Sequence, residues 1–158
     1  MHRAAYVKLL LTAVILLLVL PTCPSAQDDD NWPPLSYLRS DYKAVSIVAH
    51  IRIEKAEITS RIIGYENWTI NAVVLEPFKG KFKKGDAIEY VHGAEAGIKQ
   101  QHFTGEKIVF LLAERDENRK RYYAVLENST LPYTKDTITK LRSIKRSYAS
   151  KRQRSRSR

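Results

Sequence analysis

Between Trp68 and Val91 the chain spells out two strands and the turn that joins them. Trp68, Ile70, Ala72 and Val74 alternate with Thr69, Asn71 and Val73, and Ala87-Ile88-Glu89-Tyr90-Val91 resumes the alternation. Side chains on a strand point to opposite faces in turn, so a period of two marks a strand with one face buried. Pro77 cannot donate to a sheet ladder and is expected to end the first strand or place it at an edge. Gly80 and Gly85 punctuate the connection, which spans Phe78-Lys79-Gly80 to Gly85-Asp86. Such a pair is stable only within a larger sheet with an apolar face to cover, and this commits the chain to a β domain.

The flanking sequence supplies that sheet. From 44 to 58, Val45, Ile47, Ala49, Ile51 and Ile53 alternate with polar residues, long enough for a strand that bends across two halves of a barrel. Residues 107–113, Lys107 to Ala113, form an unbroken apolar run expected to be the most buried strand. A fifth strand is expected at 122–127, after a charged turn, whereas 92–104 reads as irregular. Leu35 to Tyr42 is expected to form a short helix. Residues 134–148 place Ile138, Leu141, Ile144 and Tyr148 on one helical stripe, with Thr134 as its cap. Five strands at this length predict an all-β (β-rich α+β) fold, a five-stranded OB-type barrel with a short N-terminal helix and a C-terminal helix. The barrel is expected over 35–133 and the helix over 134–148. From 149 to 158 no apolar residue follows Ala149, and a disordered basic tail is expected.

The first 26 residues read as a secretory signal peptide. His2, Arg3 and Lys8 precede an uncharged run from Leu9 to Leu20, Pro21 breaks it, and Ser25-Ala26 offers a cleavage point. A linker over 27–34 follows. Cys23 is the chain's single cysteine, so the mature domain is expected to stand on its core without disulfides. Membrane anchoring, by residues 9–20 left uncleaved or by lipidation of Cys23, is the alternative. The net charge of +10 is uneven: residues 135–158 hold ten cations and one acid, whereas 27–134 holds fifteen cations and sixteen acids. A nearly neutral folded part argues against nucleic acid as its ligand.

Ser40-Asp41 before a long alternating strand, Phe78-Lys79-Gly80 at a strand end, and Gly85-Asp86 before the next strand resemble the netrin-like modules and the N-terminal domain of tissue inhibitors of metalloproteinases. Gly105-Glu106-Lys107-Ile108-Val109-Phe110-Leu111 is similar to a strand of secreted bacterial members of that superfamily. The resemblance covers roughly residues 36–133 and implies an OB-type barrel that is exported and acts by binding protein or matrix. In the inhibitors a mature N-terminal cysteine chelates the target's zinc and disulfides hold that segment. Here only Cys23 could serve, and no second cysteine exists to fix it, so inhibition of metalloproteinases is kept only as the last of the alternatives.

Candidate chemistry is sparse. His92, Glu95 and His102 share the 92–104 segment and are weak candidates for a metal site; His50 is expected to be exposed. Hydrolase, phosphate-loop and dinucleotide motifs are lacking, and no enzyme and no cofactor are expected. Asn67-Trp68-Thr69 and Asn128-Ser129-Thr130 are glycosylation acceptor triplets at Asn67 and Asn128. Arg142, Lys145, Arg146, Lys151, Arg152, Arg154, Arg156 and Arg158 are expected to form an anion-binding tail for a polymer or a membrane surface. Tyr90, Phe103, Tyr122 and Tyr123 are the aromatics available for stacking, although Trp68, Phe78, Phe82 and Phe110 are expected to fill the core with the tyrosines at its ends. The leading expectation is a secreted, monomeric, non-enzymatic module with an unknown protein or matrix partner.

Overall fold

The computed structural model describes residues 32–115, 118 and 121–156. The expected signal peptide at 1–26, Cys23, most of the expected linker and Arg158 lie outside the described residues. Helix α1, Leu35–Ala44, leads into strands β1, Ile47–Ile62, β2, Tyr65–Lys79, and β3, Ala87–Glu95. A single 3₁₀ turn, Gln100–His102, precedes β4, Gly105–Arg115, and β5, Arg121–Pro132; helix α2, Lys135–Arg156, follows. The strands close a barrel in the order β1-β2-β3-β5-β4. All neighbours are antiparallel except β3 and β5, which run parallel and meet at Val91 and Ala124. This is the five-stranded OB-type plan, with one helix before it and one after it.

Two apolar clusters hold it. Ile51, Trp68, Ile70, Val74, Ile88, Tyr90, Phe103 and Leu111 fill the barrel interior. On its outer side, Val48, Ile108 and Phe110 meet Leu38 and Tyr42 of α1 and Ile138, Leu141 and Ile144 of α2. The two clusters explain the unbroken apolar run of β4: Val109 and Leu111 serve the inner cluster while Ile108 and Phe110 serve the outer one. A strand covered on both faces loses the polar half of its alternation.

The short sequence signatures turn out to be joints of this scaffold. Phe78 is buried against the helices and its carbonyl accepts from Tyr42 Oη at 2.8 Å. Lys79 donates through Nζ to the carbonyls of Tyr42, Lys43 and Val45, at 2.7, 3.3 and 2.5 Å, satisfying acceptors that the end of α1 leaves without partners. Burial lowers the pKa of Lys79. Gly80 adopts φ of 106° and passes so close to β1 that a Cβ would lie 3.0 Å from Ile47 Cγ1. Asp86 closes the next turn by accepting from the Lys83 amide at 2.8 Å. Asp41 accepts from Ser129 of β5 at 2.7 Å.

The structure corrects several expectations. β2 runs on through Pro77 to Lys79, and Pro77 stands at an edge as expected, because β3 pairs with β2 only from Tyr65 to Val73 and leaves β1 as the strand beside it. β3 extends to Glu95, so only 96–104 is irregular. Tyr90 and Phe103 are inside the barrel and offer no stacking platform. His50 is buried, 8 % exposed, with Nε2 2.9 Å from Glu106 Oε2 and its ring stacked on Tyr133. Its face of β1 lies in the region covered by the helices. Helix α2 is capped by Thr134, whose Oγ1 accepts from the Thr137 amide at 3.1 Å, and it continues through 149–156, where a disordered tail was expected. Propagating an established helix fixes one residue per hydrogen bond and needs no apolar contact. Cations near its C-terminus also complement the helix dipole.

Candidate functional site

Beyond their pairing with β4, which ends at Ile53, the remaining residues of β1 continue with β2 alone as a long hairpin. Its last pair is Ile62 with Tyr65, joined by Ile63 and Gly64, and Gly64 takes φ of 81° in the turn. Ile63 is fully exposed, Ile62 is 67 % exposed and Tyr65 57 %. Among the described residues Ile62 and Ile63 are the only large aliphatic side chains left in solvent. The other exposed aromatics include Tyr133, stacked on His50, and Tyr148, tilted against Tyr42 at 5.1 Å. The tip is anchored: the Ala96 amide donates to the Gly64 carbonyl at 3.0 Å, and Arg61 Nε donates to Glu66 Oε1 at 3.0 Å.

Beside the tip, β5 leaves β3 after their single parallel contact, and a cleft of about 470 Å³ opens between them. Tyr65, Ile98 and Thr130 line it together with His92, Glu95 and His102. The cleft therefore brings together the three residues singled out as weak metal candidates. It does not array them as ligands: among the described residues no group of three such side chains is placed to hold a metal ion. His92 packs edge-on against Phe103, and its Nδ1 lies 3.5 Å from Thr130 Oγ1. Burial, and secondarily the neighbouring His102, lower its pKa, so its imidazole is neutral near pH 7. What the cleft offers is a neutral imidazole, an exposed carboxylate and a hydroxyl.

The remaining candidates separate. Asn67 sits near the start of β2, half-buried, with its Nδ2 donating to Ser60 Oγ at 2.9 Å; Asn128 falls within β5. Of the cationic set, Arg142 and Lys145 are drawn onto the barrel. Arg142 makes a two-pronged ion pair with Glu76, at 2.9 and 2.7 Å, which holds the Glu76 carboxyl below its ordinary pKa, and Lys145 donates to the Pro77 carbonyl at 2.8 Å. Arg146, Lys151 and Arg154 are exposed on α2, and Arg152 and Arg156 lie within its last turns. The sequence marks 59–67 as a hairpin connection about Gly64 with Ile62-Ile63 extending one arm, and the structure has that hairpin; what the sequence reading missed is that its apolar tip stays in solvent. Its signal was Ile62-Ile63 beside Gly64, apolar residues at a place where a turn should be polar.

No protein-family model matches the chain, and no curated protein is similar to it.

Proposed function

We propose that this protein is a secreted, non-catalytic binding module of netrin-like OB type that acts through contact with a protein or matrix partner. The observation that carries this reading is the exposure of Ile62 and Ile63 at the tip of an anchored hairpin. Leaving such side chains in water forgoes roughly 1.5–3 kcal/mol each, and apolar surface held outward on a rigid element is the signature of an interface. The outer face of β2 and β3 supports protein over nucleic acid. It carries Asn67, Thr69 and Asn71 opposite Gly93, Val91 and Glu89, with Tyr65 opposite Glu95 as its single exposed aromatic and no basic residue in these pairs, short of the stacked platforms and basic groove that single strands require.

The test is capture from extracellular fluid and matrix extract by the immobilised domain and by its Ile62→Ser/Ile63→Ser variant. Partners held by the wild type are expected to be lost from the variant while its thermal unfolding is unchanged. Equal capture by both would overturn the reading.

A second reading is favoured by the continuation of α2 to Arg156, which sets Arg146, Lys151 and Arg154 on one rigid, exposed rod. In this reading the rod binds an anionic polymer or membrane surface through counterion release. Heparin retention is expected to fall sharply, and to lose most of its salt dependence, on truncation after Tyr148; unchanged retention would refute it.

A further inference from the structure

At the end of the barrel that bears the hairpin, two of its walls stop short. β4 begins at Gly105, opposite Ile53 of β1, and β3 pairs with β5 only at Val91. Trp68 lies beyond both places, opposite Ile58 on β1 and His92 on β3. What closes the barrel over it is the segment 96–104. That segment lays Phe103 against the Trp68 ring, with 4.7 Å between ring centroids, and both side chains are buried.

The indole N–H is the exception in this interior. Trp68 is only 4 % exposed, and its Nε1 has no acceptor among the described residues. A buried donor without a partner keeps its full desolvation cost, so such groups are rare in native interiors. The segment above it has an opening on either side. A groove of about 540 Å³ is lined by Ile53, Ala56, Gln100 and Phe103. Across the segment is the cleft of about 470 Å³ that Ile98 and His102 border. The Phe103 ring also meets the edges of His92 and His102, so it stands as a plug between the two. Each opening is of a size that takes a small molecule.

The segment is held lightly. Gln100 ties it sideways to β1, donating through Nε2 to the Ala56 carbonyl at 3.0 Å. The amides of His102 and Phe103 and the hydroxyl of Thr104 bond within the segment itself. Gly97 and Gly105 bound it, with φ of 92° and 74°, and a few terminal residues of this kind absorb the motion of a lid.

We propose that residues 97–105 are a lid, and that the barrel mouth beneath it binds a small uncharged aromatic molecule carrying one acceptor atom, a carbonyl oxygen or a ring nitrogen. The ligand ring takes the place of Phe103 against Trp68, and its acceptor receives the indole hydrogen. Burial that Phe103 gives up on swinging out is regained by the ligand, so the new hydrogen bond favours the bound state over the closed one. A charged ligand is disfavoured, because Ile53, Ala56, Trp68 and Phe103 offer it no partner. The site is separate from Ile62 and Ile63 and stands or falls without the proposed function.

Quinoline and naphthalene test this, for they share one shape and differ by a ring nitrogen. Each is titrated at neutral pH, where both are uncharged, into the full-length protein and followed by NMR. Quinoline is expected to move the Trp68 indole N–H resonance downfield and saturably. It should bind about fivefold tighter than naphthalene, the worth of one neutral hydrogen bond. Trp68→Phe should bring the two probes to equal affinity, read from the amides of Phe103 and Thr104. Gln100→Ala, at an exposed position, should tighten both probes, because apparent affinity scales with the fraction of molecules whose lid is open. A Trp68 resonance that quinoline leaves in place, equal affinity of the wild type for the two probes, or a Gln100→Ala variant that binds no more tightly would overturn the proposal.

Discussion

Replacing Gly80 by alanine isolates the cost of a close backbone approach. Two terms add. With φ of 106°, Gly80 occupies a region where a side chain costs roughly 1–2 kcal/mol. The new Cβ would also lie 3.0 Å from Ile47 Cγ1, 3.2 Å from the Ser46 carbonyl oxygen and 3.4 Å from Ile47 Cα. Two of those three atoms are backbone, so the strand itself must yield, and overpacking of this kind costs roughly 1–3 kcal/mol. The sum is about 2–5 kcal/mol, equivalent to a fall in Tm of roughly 8–20 °C for a domain of this size. Gly85 is the internal control. Its φ is 90°, yet a Cβ there meets nothing within 4 Å, so Gly85→Ala is expected to cost only the conformational part, about 1–2 kcal/mol. Urea unfolding of the two variants measures the difference directly. In the double variant Ile47→Ala/Gly80→Ala, the combined loss should be smaller than the sum of the single losses, because the first change removes the atom the second collides with. Equal costs at Gly80 and Gly85 would refute the argument that contact with β1, rather than backbone angle alone, demands glycine in the Phe78-Lys79-Gly80 joint.

Other outcomes follow from the same scaffold. Phe110→Ala should cost about 3–5 kcal/mol in urea unfolding, since its ring is fully buried between β4 and both helices. Glu76 has a folded-state pKa below its unfolded value, chiefly through its hydrogen bond from Arg142. The unfolded chain therefore binds the extra proton first, and the stabilisation is complete above the ordinary carboxylate range and lost as pH falls through the folded value. Glu76→Gln should flatten that part of the stability–pH curve measured by thermal unfolding. His92 also titrates below its ordinary value, so folding is progressively disfavoured as pH drops beneath the usual histidine range. In an NMR titration His102→Gln should move the His92 midpoint upward by only part of the shift, because burial is the larger cause and remains.

The resemblance to netrin-like modules rested on turns, and the joints account for why turns carry it. Lys79 fastens β2 to the end of α1, Gly80 lets the chain pass Ile47, Asp86 closes the turn into β3, and Asp41 ties α1 to β5. Each is required by backbone geometry at a crossing of elements. None of them touches the cleft or the hairpin tip, so such signatures speak for the barrel and leave its partner open. Glu106, in the Gly105-Glu106 stretch, is likewise engaged with His50 on the outer side of the barrel.

Local periodicity was enough to place the strands and helices, to find Ile138, Leu141 and Ile144 as apolar contacts, and to mark β4 as a strand covered on both faces, although β1 has the longer buried run, because alternation and its loss are set by which faces meet water. It was also enough to put Thr134 at the start of α2, since a hydroxyl reaching the third amide of a helix is a matter of neighbours in the chain. The tertiary fold decided what depends on residues far apart in sequence. Closure of the barrel through parallel β3 and β5 opens the cleft that gathers His92, Glu95 and His102. The packing of α2 draws Arg142 and Lys145 onto Glu76 and Pro77 and out of the cationic set that the sequence had grouped together. His50 is buried although it alternates with apolar residues, because β1 is covered on both sides there, and a period of two reports which residues share a face without telling whether the other face is covered as well.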